Sequence, residues 1–327
     1  MKTVFYNFTE ELIEVRHLIS SCLEREIPKY AKRLLESFPL DNGRGLRPSL
    51  LLASAGEQAL RQKRDALHRA AAAVEIVHAG SLLHDDIVDE ATLRRHKPTI
   101  NTVYGAREAV LLGDYFLSRA FRLVLSLQSS RATSSFVRLM ETMVEGEFFE
   151  LEKSSVSDYS ERDALKIIEK KTGSLFAEAC FIGGLISGLP KEDLENLREF
   201  GFQSGLVYQL ADDVLDTTSL SGNIGKDTGV DFLHGRPTLP LVYALEIAPK
   251  NSREEFQNAK ERSKETSTAI MEVMKSPAVK DRICEKARDS RKRAVQVLTG
   301  LKDLQIRRDL EEFANYAYDR TKKACFG

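Results

Sequence analysis

Cysteine is scarce in this chain of 327 residues. Cys22, Cys180, Cys284 and Cys325 are its only four, scattered with none of the close pairing that metal sites use. They read as reduced thiols of a cytoplasmic protein rather than a disulfide framework. A surplus of charge is also lacking. With 48 Lys and Arg against 49 Asp and Glu the formal net charge is −1, which argues against a general nucleic-acid binder. No apolar run approaches the ~20 residues of a membrane span, and Met1 to Glu14 mixes acids with single apolar positions instead of forming a signal-peptide core. No Ser/His/Asp or Cys/His grouping offers a nucleophile. Strand signals are scarce and no disordered linker is evident. The expectation is therefore all-α, a single domain over residues 1–327 built as a bundle of about ten or more helices around a central cavity.

What the chain has instead is two acidic stripes. Residues 66–90 lack proline and are rich in alanine and leucine, which predicts a helix. On it Asp85 and Asp89 stand one turn apart on one face. Asp86 lies beside them, and Glu75, His78 and Leu82 precede them along the same stripe. Three carboxylates this close repel one another near a helix end where the macrodipole is already negative. Such an arrangement is tolerated when something positive sits on it. Hard divalent cations, Mg²⁺ above all, take carboxylate oxygens and hold phosphate at their remaining positions.

The second stripe echoes the first. Gln209, Asp212, Asp213 and Asp216 fall at i, i+3, i+4 and i+7 on a helix predicted from about 197 to 216. Basic residues follow each stripe near glycine or proline: Arg94, Arg95 and Lys97 after the first, Lys226 and Arg236 after the second. One Asp-Asp-x-x-Asp is commonly a solvated helix face. Two of them, each behind an apolar segment and each trailed by a basic loop, point to metal ions and more than one phosphate group. Neither stripe completes a metal shell alone, so the two helices are expected to face each other.

These residues resemble a known family. Asp85-Asp86-Ile87-Val88-Asp89, followed by Arg94-Arg95-His96-Lys97-Pro98-Thr99, and Gln209-Leu210-Ala211-Asp212-Asp213-Val214-Leu215-Asp216, with a glycine-punctuated run from Gly225 to Pro240, are similar to the motifs of trans-isoprenyl diphosphate synthases of the polyprenyl synthetase family. The resemblance covers most of the chain, from Asn42 to Pro240 with a helical remainder. It implies the type I isoprenoid synthase fold, a homodimer, and Mg²⁺-dependent condensation of isopentenyl diphosphate with an allylic diphosphate, with three ions per active site.

By the same resemblance, Asp85, Asp89 and Asp212 bind the metal directly, and Asp86, Asp213 and Asp216 assist. Arg94, Lys171, Lys226 and Arg236 grip the allylic diphosphate. Arg44, Arg47, His78 and Arg95 hold isopentenyl diphosphate. Thr172 and Gln209 stabilise the allylic cation through their oxygens, with Lys171 beside them in the family's Lys-Thr-Gly pattern. The proton lost at the end goes, in the family, to the released diphosphate. The chain departs from the family pattern at Gly45, which replaces an arginine, and at Arg236, which replaces a lysine. Glu150 stands where family members carry glutamine or an acid.

Product length follows, in the family, from bulky side chains below the first motif. Here Gly80 and Ser81 are small, and Phe136 is the candidate floor, which predicts a product longer than geranylgeranyl, on the order of six to ten isoprene units by resemblance. Rival readings are a short-chain synthase, a class I terpene cyclase, a metal phosphohydrolase using His78 and His84, and a regulatory subunit of a heteromeric synthase. The second Asp-Asp-x-x-Asp argues against the cyclase, the basic loops against the hydrolase, and retention of both motifs against the subunit. The charge-rich tail, residues 252–324, reads as scaffold with no chemistry in it.

Overall fold

The structure is a computed structural model that describes residues 8–38, 44–94, 97–154, 160–219, 238–258 and 264–327, without the side chains of residues 154, 218–219, 257–258 and 264–267. The described chain is all-α, as its sequence predicts. The helices are α1 (Thr9–Glu24), α2 (Lys29–Ser37), α3 (Leu46–Gln62), α4 (Arg64–Val88), α5 (Ile100–Tyr104), α6 (Ala106–Leu125), α7 (Ser130–Ser154), α8 (Glu161–Ile168), α9 (Ser174–Ser187), α10 (Lys191–Ser219), α11 (Leu239–Ile247), α12 (Lys250–Asn258), α13 (Lys264–Met274), α14 (Pro277–Val297) and α15 (Leu304–Phe326). A π-helical turn, Glu169–Gly173, joins α8 to α9. The only strands among the described residues are two of two residues each, Leu93–Arg94 and Lys97–Pro98, paired antiparallel with Leu93 opposite Pro98.

Local chemistry sets several boundaries. Ser160 and Asp163 form a reciprocal capping box at the start of α8. Prolines sit in the first turns of α11 and α14, where the missing N–H costs nothing. Thr9 is the first helical residue of α1, and Phe8 holds the cap position with no side-chain bond.

The chain divides into two compact units. The first comprises residues 1–138, 175–198 and 300–310. Its centre is α4, which packs on α6, α3 and α1. Ala70 to Ala73 on α4 are all fully buried, and short side chains of this kind let helices approach closely. His68, Arg64 and Glu11 tie α4 to α1. In α3, Gly56 has φ +78 and breaks the helical path, with Ile306 pressed against it.

The second unit comprises residues 139–174, 199–299 and 311–327. There α11 packs on α8, α13 and α14. Its Tyr243 is buried beneath the Arg282 guanidinium, 3.7 Å from the ring centroid. α15 is fastened to α10 by Thr321, whose hydroxyl donates to the Val207 carbonyl at 3.0 Å. Fully buried Phe116, Phe136 and Phe176 in the first unit and Phe200 and Phe313 in the second each contribute roughly 1.5–3 kcal/mol by leaving water.

Candidate active site

In the first unit, α4 carries its acidic stripe over the last turns. Glu75, His78, Leu82, Asp85 and Asp89 are all half-buried along that face. Asp89 caps the helix, its N–H bonded to the Asp85 carbonyl at 2.8 Å. Asp86 does not share this exposure. It is 3% exposed, and its carboxylate accepts from Arg94 at 2.7 Å. Burial pushes the Asp86 carboxyl up, against the pull of Arg94, with Asp89 adding to the rise. Asn101 donates to the backbone carbonyls of Asp86 and Ala91, both at 3.1 Å, and Thr99 to that of Ala91 at 2.8 Å. The hairpin after the helix is thereby closed onto its end. Arg94, expected to grip the allylic diphosphate, is here paired with a neighbour eight residues back. His84 joins α4 to α6, its Nε2 lying 3.3 Å from the Val110 carbonyl and 3.6 Å from Asp114. Gly113 makes the room, since a Cβ there would fall 2.2 Å from the imidazole. These contacts give His84 a place in the packing of α4 on α6.

Arg44 is exposed and Arg47 half-buried at the start of α3. The Arg47 guanidinium lies 5.1 Å from the centroid of the Phe176 ring, a cation–π contact that fixes its direction. Gly45, the departure from the family pattern, caps this helix in the left-handed region, φ +63 and ψ +32. An arginine there would pay for that backbone, so the lost charge accompanies a tighter turn.

The three positions expected to set product length all lie in the first unit, in different surroundings. Gly80 is buried where α4 meets α6. A Cβ on it would meet Leu117 at 3.2 Å and Phe116 at 3.3 Å. Close helix packing therefore accounts for its size, and a larger side chain would have to displace these neighbours. Ser81 is half-buried, its hydroxyl donating to the His78 carbonyl at 2.9 Å. Phe136 is 1% exposed, within the core.

In the second unit the stripe on α10 is graded in exposure. Asp213 is 8% exposed, Asp212 half-buried and Asp216 exposed. Asp213 faces inward and accepts from Gln209 Nε2 at 2.8 Å, while Gln209 Oε1 accepts from the Thr172 hydroxyl at 2.8 Å. Thr172, Gln209 and Asp213 thus form one hydrogen-bonded chain. Lys171 and Thr172 sit in the π-helical turn, an irregularity common at functional sites. Gly146 of α7 lets that turn approach, because a Cβ there would lie 2.9 Å from both Lys170 Cβ and Lys171 Cγ. Lys171 is held by two carboxylates, Glu147 at 2.8 Å and Glu150 in closer contact.

Sequence reasoning missed two participants. Glu147 carries no motif signal of its own, and its link to Lys171 spans 24 positions. Arg320, in the tail read as scaffold, forms an ion pair with Asp212. Its position, seven residues from the end of the chain, carries no local signal. Arg95, Lys226 and Arg236 lie outside the described residues.

Known proteins share this architecture. The polyprenyl synthetase family pattern matches residues 28–276. An all-trans-nonaprenyl-diphosphate synthase (geranyl-diphosphate specific) of Rhodobacter capsulatus is 32% identical over 286 residues, 85% of each chain. A geranylgeranyl pyrophosphate synthase of Geoglobus acetivorans is 31% identical, covering 94% of this chain and 96% of its own. Among solved structures, the polyprenyl synthase of Caulobacter crescentus complexed with calcium and isoprenyl diphosphate superposes with a TM-score of 0.87 at 31% identity, over 97% of this chain and 96% of that one.

Proposed function

The chain belongs to the polyprenyl synthetase family, has the type I isoprenoid synthase fold and is a prenyltransferase, and on that premise we propose that it joins isopentenyl diphosphate to an allylic diphosphate in the trans sense, with Mg²⁺. The observation that carries the proposal is the pair Asp85 and Asp89, one turn apart and half-buried at the end of α4, with Arg94 folded back beside them. Among the described residues no three His, Cys, Asp or Glu side chains converge on one point. Mg²⁺ is commonly held by one or two carboxylates per ion, with substrate phosphate oxygens completing the shell, and Asp85 and Asp89 are such a pair. The calcium and isoprenyl diphosphate named with the Caulobacter enzyme support the same combination.

Mg²⁺ bound at Asp85, Asp89 and Asp212 would supply positive charge to the diphosphate as its C–O bond breaks. Lys171, oriented by Glu147 and Glu150, binds the allylic diphosphate together with Arg94, Lys226 and Arg236. Arg44, Arg47, His78 and Arg95 bind isopentenyl diphosphate. Thr172, positioned by Gln209, presents its hydroxyl oxygen to the allylic cation. The double bond of isopentenyl diphosphate attacks that cation, a C–C bond forms, and a proton is lost to the departed diphosphate.

We further propose a single functional domain, a location in the reducing cytoplasm on the strength of four free thiols, and a homodimer. Val144, Phe148 and Leu151 on α7 are exposed, an apolar helix face that a second copy would cover. The product is proposed to be longer than geranylgeranyl, on the order of six to ten units by family resemblance, because Gly80 and Ser81 are small where short-chain members of the family carry bulk. The test is incubation of the purified chain with Mg²⁺, isopentenyl diphosphate and each allylic primer, with mass analysis. A polyprenyl diphosphate above four units is expected. Product ending at three or four units overturns the length, and no prenyl transfer by the chain alone overturns the activity.

A further inference from the structure

Arg320 is 108 positions beyond Asp212 in sequence, yet three contacts fix it there. It forms an ion pair with Asp212 Oδ1, its Nη1 donates to the Tyr208 carbonyl at 3.2 Å, and its guanidinium lies 4.4 Å from the centroid of the Tyr208 ring. Its side chain is 13% exposed, against 39% for Asp212. Two of the three contacts do not involve the carboxylate, so the cation is a fixture of α10 and α15 rather than a passing partner. It occupies Oδ1, while Oδ2 of Asp212 has no protein partner among the described residues. Beside it lies a cleft of about 520 Å³ lined also by Leu215, Lys280 and Lys323, which adds positive charge next to the stripe.

Such an arginine has two opposed effects on a divalent ion at Asp212. It orients the carboxylate, which saves the ordering of one short side chain. It also repels the ion. A unit charge a few ångströms from a divalent ion is worth on the order of tenfold in affinity even with water-like screening, so repulsion wins when the metal arrives alone. A diphosphate reverses the balance, because the arginine then faces a net negative group.

We infer that Arg320 is a resident counter-ion of the second aspartate stripe, which weakens uptake of a divalent cation by itself and makes uptake depend on diphosphate. This rests on the reading of Asp212 as a metal ligand. The experiment is calorimetric titration of Mg²⁺ into the full chain, with and without inorganic diphosphate, for wild type, Arg320→Gln and Arg320→Lys, with melting temperatures to confirm folding. Arg320→Gln is expected to bind Mg²⁺ alone at least about fivefold more tightly than wild type and to lose most of the enhancement by diphosphate. Arg320→Lys, keeping the charge, should stay near wild type. In an Asp212→Asn background, Arg320→Gln should change Mg²⁺ affinity far less. Unchanged or weaker Mg²⁺ binding in Arg320→Gln overturns the inference while leaving the metal site standing. Failure of the wild type to bind Mg²⁺ even with diphosphate overturns both.

Discussion

Asp85 and Asp212 are half-buried while Asp86 and Asp213 are buried and hydrogen-bonded to Arg94 and Gln209, which divides these four aspartates into two kinds. The half-buried pair has an outward face for a cation, and the buried pair orders its neighbours. Asp85→Ala and Asp212→Ala should each lower turnover at least ~100-fold, since they remove charge stabilisation from the reacting diphosphate, while unfolding midpoints move little. Steady-state rates in Mg²⁺ beside a melting curve decide it, and a near-normal rate in either variant refutes the assignment. The stripes were legible because helical spacing is a local rule. The partners were not. Arg320 reaches Asp212, and Glu147 reaches Lys171, through tertiary packing that no window of sequence contains.

At the level of the helix, α4 brings together the alanine run that packs, the stripe proposed to bind metal and the positions proposed to gauge the product. Its existence and its acidic face follow from composition and period. The reason for Gly80 does not, because it depends on α6 lying 3.2–3.4 Å from a Cβ that is absent. The two small residues therefore predict different outcomes. Ser81→Phe should shorten the product with the fold retained. Gly80→Phe should mainly destabilise, because overpacking a tight contact costs about 1–3 kcal/mol or more. Product mass spectra and urea midpoints on both variants separate the two, and equal shortening without destabilisation would contradict the packing account. The same helix is pinned to α1 by Glu11. Burial works to raise the Glu11 carboxyl, but hydrogen bonds from Arg64 and His68 outweigh it and hold it below the ordinary value of 4.5. A lowered folded value means stabilisation present above the unfolded value and lost as pH falls through the folded one. Glu11→Gln should therefore be less stable than wild type at pH 6, with the gap closing as pH falls below the ordinary 4.5 and through the lowered folded value. A gap that persists at pH 3 would mean packing, not charge, is lost.

On the scale of the whole molecule, the feature left unsatisfied by one chain is the outer face of α7. Val144, Phe148 and Leu151 recur at intervals of four and three, the repeat of a single helical stripe, and Phe148 is 68% exposed. A large aromatic standing in water amid other apolar side chains is stabilised when a second copy removes it, by roughly 1.5–3 kcal/mol for a residue of this size. Where one surface meets its own copy, each substitution acts twice in a twofold dimer. Phe148→Glu would place two carboxylates near the axis and take two aromatics out of the contact, so its effect should greatly exceed that of a surface change elsewhere. The expected outcome is a dimer for the wild type and a monomer for Phe148→Glu by light scattering at micromolar concentration, with Leu304→Glu, also exposed at 61% but on α15, remaining dimeric. A wild type that is monomeric at every concentration, or a Phe148→Glu protein that stays dimeric, would remove α7 as the interface.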